Sequence, residues 1–315
     1  MTVDTVSGKR CLVLGGGGFI GRHIVEALQR SGAQVRVFGR GLDIFEDSDV
    51  EIVTGDFGDT ARLKVAIQNI DVVFHLINTT SPATAESNPM FDITTNLVGT
   101  VALLSLCKDA GIERVIFASS GGTVYGAVDE FPIREDVLPN PISSYGITKL
   151  SLERYLSLYN YSHGMKNIVL RVANPYGPFQ TGAKAQGVIG TFMRAALYGE
   201  PVKIIGIDSI RDYIYVGDVA SAFVAAAEYR GTGHLFNVGT GIGRALRDVV
   251  RDVQAVTGIA LNSDVLPARR FDVARSVLDV TAARTELHWV ADADWNESLQ
   301  TTWQWVRDYN ATRRH

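Results

Sequence analysis

Apolar residues in the first half of the chain alternate between two patterns of spacing. Short apolar runs predict strands at residues 11–14, 34–38, 51–53, 71–76 and 114–118. Helical spacing between these runs predicts helices at residues 21–30, 60–68 and 96–110. Because the strands are apolar on both faces and alternate with helices, the pattern predicts an α/β fold with a parallel sheet covered by helices on both sides.

The second half continues this alternation with longer connections that are rich in Pro and Gly. Strands are predicted at residues 167–172 and 202–205, and helices at residues 144–161, 187–198 and 216–229. Loops of this kind, carried on a rigid scaffold, are typical of a substrate pocket.

Composition narrows the class of protein and of ligand. The chain has 315 residues, is 46% hydrophobic and has a formal net charge of −4, which excludes disordered and collagen-like proteins. It lacks the basic excess that nucleic acids or anionic membranes favour, so we expect a small ligand. Cys11 and Cys107 lie in apolar stretches without a CxxC or Cys/His cluster. We therefore expect buried thiols in a reducing compartment and no metal site.

The first nine residues are polar and mixed, and glycine interrupts the apolar run that follows them. We expect neither a signal peptide nor a transmembrane helix at this point. The expected location is the cytoplasm.

A glycine-rich turn follows the first predicted strand and precedes the first predicted helix. The chain has 31 glycines against about 22 at average usage, and five of them lie between residues 15 and 21. Glycine lets backbone amides approach a pyrophosphate, and the helix N-terminus adds partial positive charge. The turn thus predicts a dinucleotide site on a Rossmann-type doubly wound sheet, with contacts at Gly15, Gly18, Phe19, Ile20 and Gly21.

We expect residues 1–173 to form mainly this dinucleotide-binding domain. Residues 174–315 would form mainly a smaller, mixed substrate-binding region, with some segments returning to the first domain.

The second predicted strand ends at Gly39 and Arg40, where a dinucleotide site normally has an acidic residue for the ribose hydroxyls. Without that carboxylate a 2′-phosphate is not repelled, and a guanidinium could pair with it. NAD and NADP therefore both remain open as cofactors. Asp56, after the third predicted strand, could meet the adenine edge. A solvated loop cation and an ordinary turn aspartate are the alternatives for Arg40 and Asp56.

Tyr145 and Lys149 lie four residues apart in a predicted helix and so share one face. An ammonium beside a phenol, together with an oxidised nicotinamide, stabilises the phenolate and lowers the phenol pKa towards that of a general base. The pair follows a small-residue loop, residues 119–126, at the end of a strand, where open parallel sheets bind ligands. These residues predict chemistry in which a proton leaves a hydroxyl while a hydride leaves its carbon.

Together these motifs resemble the extended short-chain dehydrogenase/reductases, in the branch of NAD-dependent nucleotide-sugar epimerases and dehydratases. The resemblance spans nearly the whole chain. It rests on the glycine turn, on Tyr145 and Lys149, and on the segments 71–76, 96–100, 119–126, 171–178 and 211–216.

The resemblance implies roles for individual residues. Tyr145 would be the catalytic acid/base, and Lys149 would bind the nicotinamide ribose and tune the phenol. Asn174 and Arg211 would contact the sugar nucleotide, with Arg211 on its diphosphate. Asn96 would orient its neighbours. Further cofactor contacts are expected at Arg40, Asp56, Phe57 and Leu76.

The family usually has Ser or Thr where this chain has Gly121. Thr123 and Ser120 remain as hydroxyls for the substrate, and we expect Thr123 to act with Tyr145 and Lys149. Arg269 would add a second cation for phosphate or ribose, unless it and Arg270 form a solvated basic pair.

The leading hypothesis is a nucleotide-sugar 4-epimerase of the UDP-hexose type. Tyr145 would take the O4 proton while bound NAD accepts the C4 hydride, the keto sugar would turn, and the hydride would return to its other face. An NADPH-dependent 4-ketoreductase is the alternative, and Gly39 with Arg40 favours it. A dehydratase is disfavoured because Gly122 and Thr123 replace its usual acidic pair. A dinucleotide-binding protein without catalysis is a third possibility.

The predicted helix at residues 144–161 has a broad apolar face. Its apolar residues are Leu152, Tyr155, Leu156, Leu158 and Tyr159. This face is either core or the contact with a second subunit, as the family resemblance implies, so we expect a homodimer that binds neither nucleic acid nor a membrane.

Overall fold

A seven-stranded parallel sheet forms the centre of the computed structural model, which describes residues 5–46, 48–181, 187–268 and 273–311. The first half contains, in chain order, β1 (Arg10–Leu14), α1 (Phe19–Arg30), β2 (Gln34–Gly39), β3 (Glu51–Thr54), α2 (Thr60–Ala66), β4 (Val72–His75), α3 (Pro82–Ser87), α4 (Pro89–Asp92), α5 (Gly99–Asp109), β5 (Arg114–Ser120) and α6 (Ser144–His163). A 3₁₀ turn covers Asp43–Phe45, and a π-helical segment, Ile93–Val98, joins α4 to α5.

The second half adds further strands and helices. They are β6 (Ile168–Val172), β7 (Asn174–Tyr176), α7 (Val188–Tyr198), β8 (Val202–Ile205), β9 (Ile210–Tyr215), α8 (Val216–Glu228), β10 (Leu235–Val238), β11 (Gly243–Ala245), α9 (Leu246–Thr257), β12 (Ser263–Leu266), β13 (Arg275–Ser276), α10 (Thr281–Glu286) and α11 (Trp295–Ala311).

The strand order of the main sheet is β10-β6-β5-β4-β1-β2-β3, with every neighbouring pair parallel. The chain moves outward from β1 to β3 and then returns to β4 on the other side of β1. In open parallel sheets the crevice at such a reversal, outside the carboxyl ends of the strands, is the place where ligands bind. The observed architecture confirms the predicted Rossmann-type α/β fold.

Strand β1 shows how the sheet acquires a core on each face. Cys11 and Val13 point into the core formed with α1 and α8, whereas Leu12 and Leu14 point into the core formed with α2, α5 and α6. The period of two in strand side chains places successive residues on opposite faces. The apolar run Cys11–Leu14 is therefore buried on both faces, as the sequence predicted.

The smaller region is built around β9, which pairs with β7, β11 and β13, while β8 and β12 form a separate two-stranded sheet. Helices α7, α9 and α11 enclose a third apolar core there. From the second half, α8 contacts β5 and β6, and β10 is an edge strand of the main sheet. The division into two domains near residue 173 stays a prediction.

The helical run Pro89–Asp109 differs from the prediction of one helix at residues 96–110. It begins earlier, and a π-helical segment interrupts it. By length and composition it is the one helix among the described residues that could cross a membrane, and about a third of it is buried. Its Asp92, Asn96 and Thr100 side chains are buried and hydrogen-bonded within the protein, so one side of this run packs into the domain.

Candidate active site

The glycine turn brings β1 and α1 together at the centre of the sheet's carboxyl edge. Gly15 has φ +86°, and a Cβ on Gly21 would lie 2.2 Å from the Gly15 carbonyl oxygen. Only glycine fits at these two positions. Among the described residues no side chain caps the N-terminus of α1 at Gly18, so the amides of Phe19, Ile20 and Gly21 can bind an anion. The turn has the geometry that a dinucleotide pyrophosphate requires.

The neighbouring strand ends place Arg40 beside Asp56. Arg40 Nη1 lies 3.6 Å from Asp56 Oδ2, and both side chains are largely exposed. An exposed pair of this kind is worth about 0–1 kcal/mol and gives way easily to a ligand. By contrast, the Phe57 ring is buried against His75 and Gly99, so only the main chain of Phe57 is available to a cofactor. Leu76, directly after β4, is half-buried and packs on the core.

Helix α6 carries the predicted catalytic pair. It begins after Ser143, whose hydroxyl accepts a hydrogen bond from the Gly146 amide at 3.2 Å. Lys149 is buried, donates a hydrogen bond from Nζ to the Ala118 carbonyl at 2.9 Å, and lies 5.6 Å from the centre of the Tyr145 ring. The structure thus brings Tyr145 and Lys149 together at the end of β5.

Burial changes the acidity of both groups. It lowers the pKa of Lys149 to about 8, although Asp92 and Glu153 oppose this change. It also raises the pKa of Tyr145 above its ordinary value, and the negative charge of Asp92 adds to this. The predicted lowering of the Tyr145 pKa is therefore not a property of the protein alone. Lys149 already lies beside the phenol, so the lowering would require the positive charge of an oxidised nicotinamide as well.

The loop after β5 explains why a glycine stands at residue 121. A Cβ on Gly121 would lie 2.5 Å from Leu278 Cδ1 and 3.1 Å from the Arg171 carbonyl oxygen, so a side chain there would require Leu278 to move. Thr123 Oγ1 is buried and has no hydrogen-bond partner among the described residues. Ser120 ends β5 and is half-buried. Thr123 is thus the hydroxyl whose burial is costly unless a ligand pairs with it.

A cavity of about 420 Å³ lies between β7, α7, β8 and β9. Asn174 and Arg211 both line it, together with Gln180 and Lys203. The Asn174 amide also borders Gly122, since a Cβ on that glycine would lie 3.9 Å from Asn174 Oδ1, so Asn174 lies between the cavity and the loop after β5. Arg269 lies outside the described residues.

A second glycine-rich segment, Gly239 to Gly243, has the appearance of a phosphate loop. The Asp212 carboxylate accepts hydrogen bonds from the Thr240 and Gly241 amides, at 2.9 and 3.0 Å, and from the Thr240 hydroxyl. A Cβ on Gly239 would lie 2.5 Å from Asp212 Oδ2. The anion that this loop binds is a carboxylate of the protein, and the loop holds β9 and its Arg211 in place.

His75 is buried at the end of β4. Its Nε2 lies 2.8 Å from the Thr100 hydroxyl, and burial together with the charge of Lys149 lowers its pKa to about 3. The imidazole is therefore neutral and structural at physiological pH.

Several residues near the site were missed at the level of sequence. Gln180 and Lys203 line the cavity, and the fully buried Asp92 lies close to the catalytic pair. Asp92 carried one usable signal: a lone carboxylate in an apolar helical run, four residues before Asn96. Gln180 and Lys203 lie in segments whose local patterns gave no indication of a pocket.

Most of the chain matches a known protein family. A sequence model of the NAD dependent epimerase/dehydratase family matches residues 11–239. The chain belongs to this family. The expected resemblance is thereby confirmed, and so is NAD as the cofactor.

Two relatives and one solved structure show how far the similarity extends. The chain is 35% identical to a UDP-glucose 4-epimerase of Mycolicibacterium smegmatis, over 95% of this chain and 99% of that protein. It is 32% identical to an Escherichia coli dTDP-4-dehydro-6-deoxyglucose reductase, over 88% and 91%. It superimposes on the crystal structure of the Thermotoga maritima UDP-glucose 4-epimerase with UDP-glucose, with a TM-score of 0.91, 34% identity and coverage of 96% and 99%. The chain is an enzyme of the nucleotide-sugar epimerase type.

Substitution of Gly21 tests the dinucleotide turn. In Gly21→Ala the new methyl group meets the Gly15 carbonyl, so the turn must shift and the amides lose their alignment. We expect NAD binding, measured by calorimetry, to weaken about tenfold or more, the loss of about one charge-assisted hydrogen bond.

The control for this variant is Ser31→Ala at the other end of α1, where the hydroxyl only bonds the Ala27 carbonyl. It should bind NAD as the wild type does. Wild-type affinity in Gly21→Ala would contradict the assignment of the turn.

Proposed function

We propose that this enzyme is a nucleotide-sugar 4-epimerase whose substrates are UDP-hexoses. The observation that carries the proposal is the juxtaposition of Tyr145 and Lys149 with the glycine turn on one side and the Asn174–Arg211 cavity on the other. A hydroxyl-bearing carbon of a sugar held in that cavity would lie between the phenol and the cofactor.

The residues of the chain would perform distinct tasks in this reaction. Arg211 and Asn174 would hold the nucleotide, with the guanidinium on the diphosphate. Tyr145 would accept the proton of the sugar hydroxyl and later return it, and the Lys149 ammonium would stabilise the phenolate. Thr123 would donate a hydrogen bond from its otherwise unpaired hydroxyl to the sugar oxygen. Bound NAD supplies the hydride acceptor.

Two features favour a 4-ketoreductase as the second candidate. The similarity to a dTDP-4-dehydro-6-deoxyglucose reductase is nearly as high as that to the epimerase. In addition, Gly39 stands at the end of β2 in place of the usual ribose-binding acidic residue, and the Arg40 side chain is largely exposed there. This candidate would use exchangeable NADPH.

The homodimer belongs to the same proposal. Leu152 and Leu156 of α6 are buried in the core, but another set of apolar side chains on α6 and on the preceding helical run is exposed. These exposed side chains, called here the α6 face, are Phe91, Ile93, Val98, Ile147, Tyr155, Leu158 and Tyr161. Exposed apolar side chains on helical elements that contact one another favour a protein partner. A second copy fits best because an isologous contact pairs the same face with itself.

We also keep a cytoplasmic location as a proposal, since Cys11 and Cys107 are buried free thiols.

Tyr145→Phe tests the proposed base. We expect epimerisation of UDP-glucose, UDP-galactose and their N-acetyl forms, assayed without added cofactor, to fall by about 10²–10⁴-fold because proton transfer is lost. Binding of NAD should persist. Tyr159→Phe, a hydroxyl deletion on the same helix, is the control and should leave turnover unchanged.

Unchanged turnover in Tyr145→Phe would refute the base. If the wild type forms no epimer but consumes a 4-keto sugar with added NADPH, the reductase is the correct function and the epimerase proposal is overturned.

Charges on the α6 face test the dimer. Light scattering at micromolar concentration should give twice the chain mass of 34.2 kDa for the wild type and the monomer mass for Val98→Asp/Leu158→Asp. Val290→Asp, equally exposed but outside the α6 face, should remain dimeric. A wild type that scatters only as a 34.2 kDa species would contradict the proposal.

A further inference from the structure

A fully buried carboxylate lies close to the catalytic pair. Asp92, at the end of α4, accepts a hydrogen bond on Oδ1 from the Asn96 amide at 2.8 Å and another from the Thr80 hydroxyl. Its Oδ2 accepts one from the Thr148 hydroxyl at 2.5 Å. All of these donors are neutral. An ionised carboxylate in such a place is costly unless a positive charge is near.

The three donors come from three different parts of the site. Thr80 lies in the loop after β4, and Asn96 lies in the π-helical segment, where π-helical turns often accompany functional sites. Thr148 lies on α6, between the two catalytic residues: it precedes Lys149 directly and follows Tyr145 by three positions. Asp92 therefore joins the loop after β4, the π-helical segment and α6 at one point.

The other charged groups around this point are already paired or neutral. Glu153 on α6 forms a bidentate ion pair with Arg171 of β6, with Nη2–Oε2 at 2.6 Å and Nε–Oε1 at 3.1 Å. His75 on β4 is neutral, and Glu86 on α3 accepts a hydrogen bond from the Ser144 amide. Among the described residues, no cation forms an ion pair with Asp92.

We propose that Asp92 is a positioning residue of the reaction: its buried negative charge keeps the Lys149 ammonium protonated beside Tyr145, and its hydrogen bonds hold α6 against the loop after β4. This inference rests on the proposed function, in which Lys149 acts on the Tyr145 phenol. It assigns a role to a residue that does not itself touch the substrate.

The acidity of the neighbouring groups agrees with this geometry. Burial lowers the pKa of Lys149, and among the charges that oppose this change Asp92 comes first, ahead of Glu153. The same charge raises the pKa of Tyr145. Asp92 thus retains the Lys149 proton at the cost of a less acidic phenol, so its removal should affect the alkaline side of the pH profile.

The test is Asp92→Asn, which has nearly the same shape. The asparagine oxygen can still accept from Thr80 and Asn96, and its amide can donate to the Thr148 hydroxyl, which accepts as well as donates. Without the negative charge, Lys149 loses its proton at lower pH. We expect the alkaline limb of kcat, and the Lys149 pKa followed by ¹³C NMR of labelled lysine, both to move down by about one pH unit. With seven lysines in the chain, the Lys149 signal is identified by its loss in Lys149→Met.

Thr148→Val is the matched control because it removes one hydrogen bond of Asp92 and leaves the charge. It should lower thermal stability without moving the Lys149 pKa. If both variants lose stability and neither moves the Lys149 pKa, Asp92 is only structural and the proposal is overturned. If Asp92→Asn does not fold, Asp92→Ser serves for the same titration.

The NMR titration separates this inference from the proposed function. A wild type without epimerase activity refutes the function, whereas an unmoved Lys149 pKa in Asp92→Asn refutes the role of Asp92 whatever the reaction is.

Discussion

The candidate site depends on one constraint, the burial of the Lys149 ammonium. A cation at this position has lost most of its water. Within the described part of the chain it hydrogen-bonds the Ala118 carbonyl and lies over the faces of two aromatic rings, Phe117 and Tyr145. Such neighbours replace part of the lost hydration but supply no counter-charge. The surrounding elements must therefore provide one, and the buried carboxylates close to α6 follow from this requirement.

The same constraint explains why neighbouring groups are neutral or tightly paired. A protonated His75 beside a buried ammonium would be repelled, and its imidazole accordingly bonds the Thr100 hydroxyl in the uncharged form. Arg171 is likewise buried, and its bidentate pair with Glu153 keeps that second cation compensated. The site would thus receive two further charges of opposite sign, the phenolate of Tyr145 and an oxidised nicotinamide.

The sequence predicted the βαβ core, the glycine turn and the Tyr145–Lys149 pair because each is a local pattern. The spacing of apolar residues determines which face of β1 or α1 is buried, and four residues on a helix suffice to place Tyr145 beside Lys149. Gly121 could not be understood in this way. Its reason is Leu278, a residue more than 150 positions later whose methyl group fills the space of a side chain. The loop at Gly239 likewise depends on Asp212, which reaches it only through the fold.

The second half of the chain was harder to predict for a related reason. Strands β7, β11 and β13 have two or three residues each, too few for a period of two to be visible. These short strands pair with the edges of β9. β9 is in turn held in place by the hydrogen bonds between Asp212 and the loop at Thr240. The cavity has the same dependence on the fold, because Gln180, Lys203 and Arg211 lie far apart in sequence and line it together.

The cavity and the loop after β5 differ in how firmly they could hold a ligand, and this difference bears on the type of reaction. Arg211 and Asn174 line the cavity, whereas the loop after β5 carries Gly121, which packs against Leu278, and Gly122, which borders Asn174. Apart from its chain neighbours, Asn174 is the only side chain among the described residues within 4 Å of a Cβ on Gly122, so this loop would hold a sugar chiefly through the single Thr123 hydroxyl. A ligand anchored at its nucleotide and loosely held at its sugar can present either face of a keto carbon to the same cofactor. An epimerase needs this freedom, whereas a reductase that delivers hydride to one face gains nothing from it, so the absence of a side chain at Gly122 favours epimerisation.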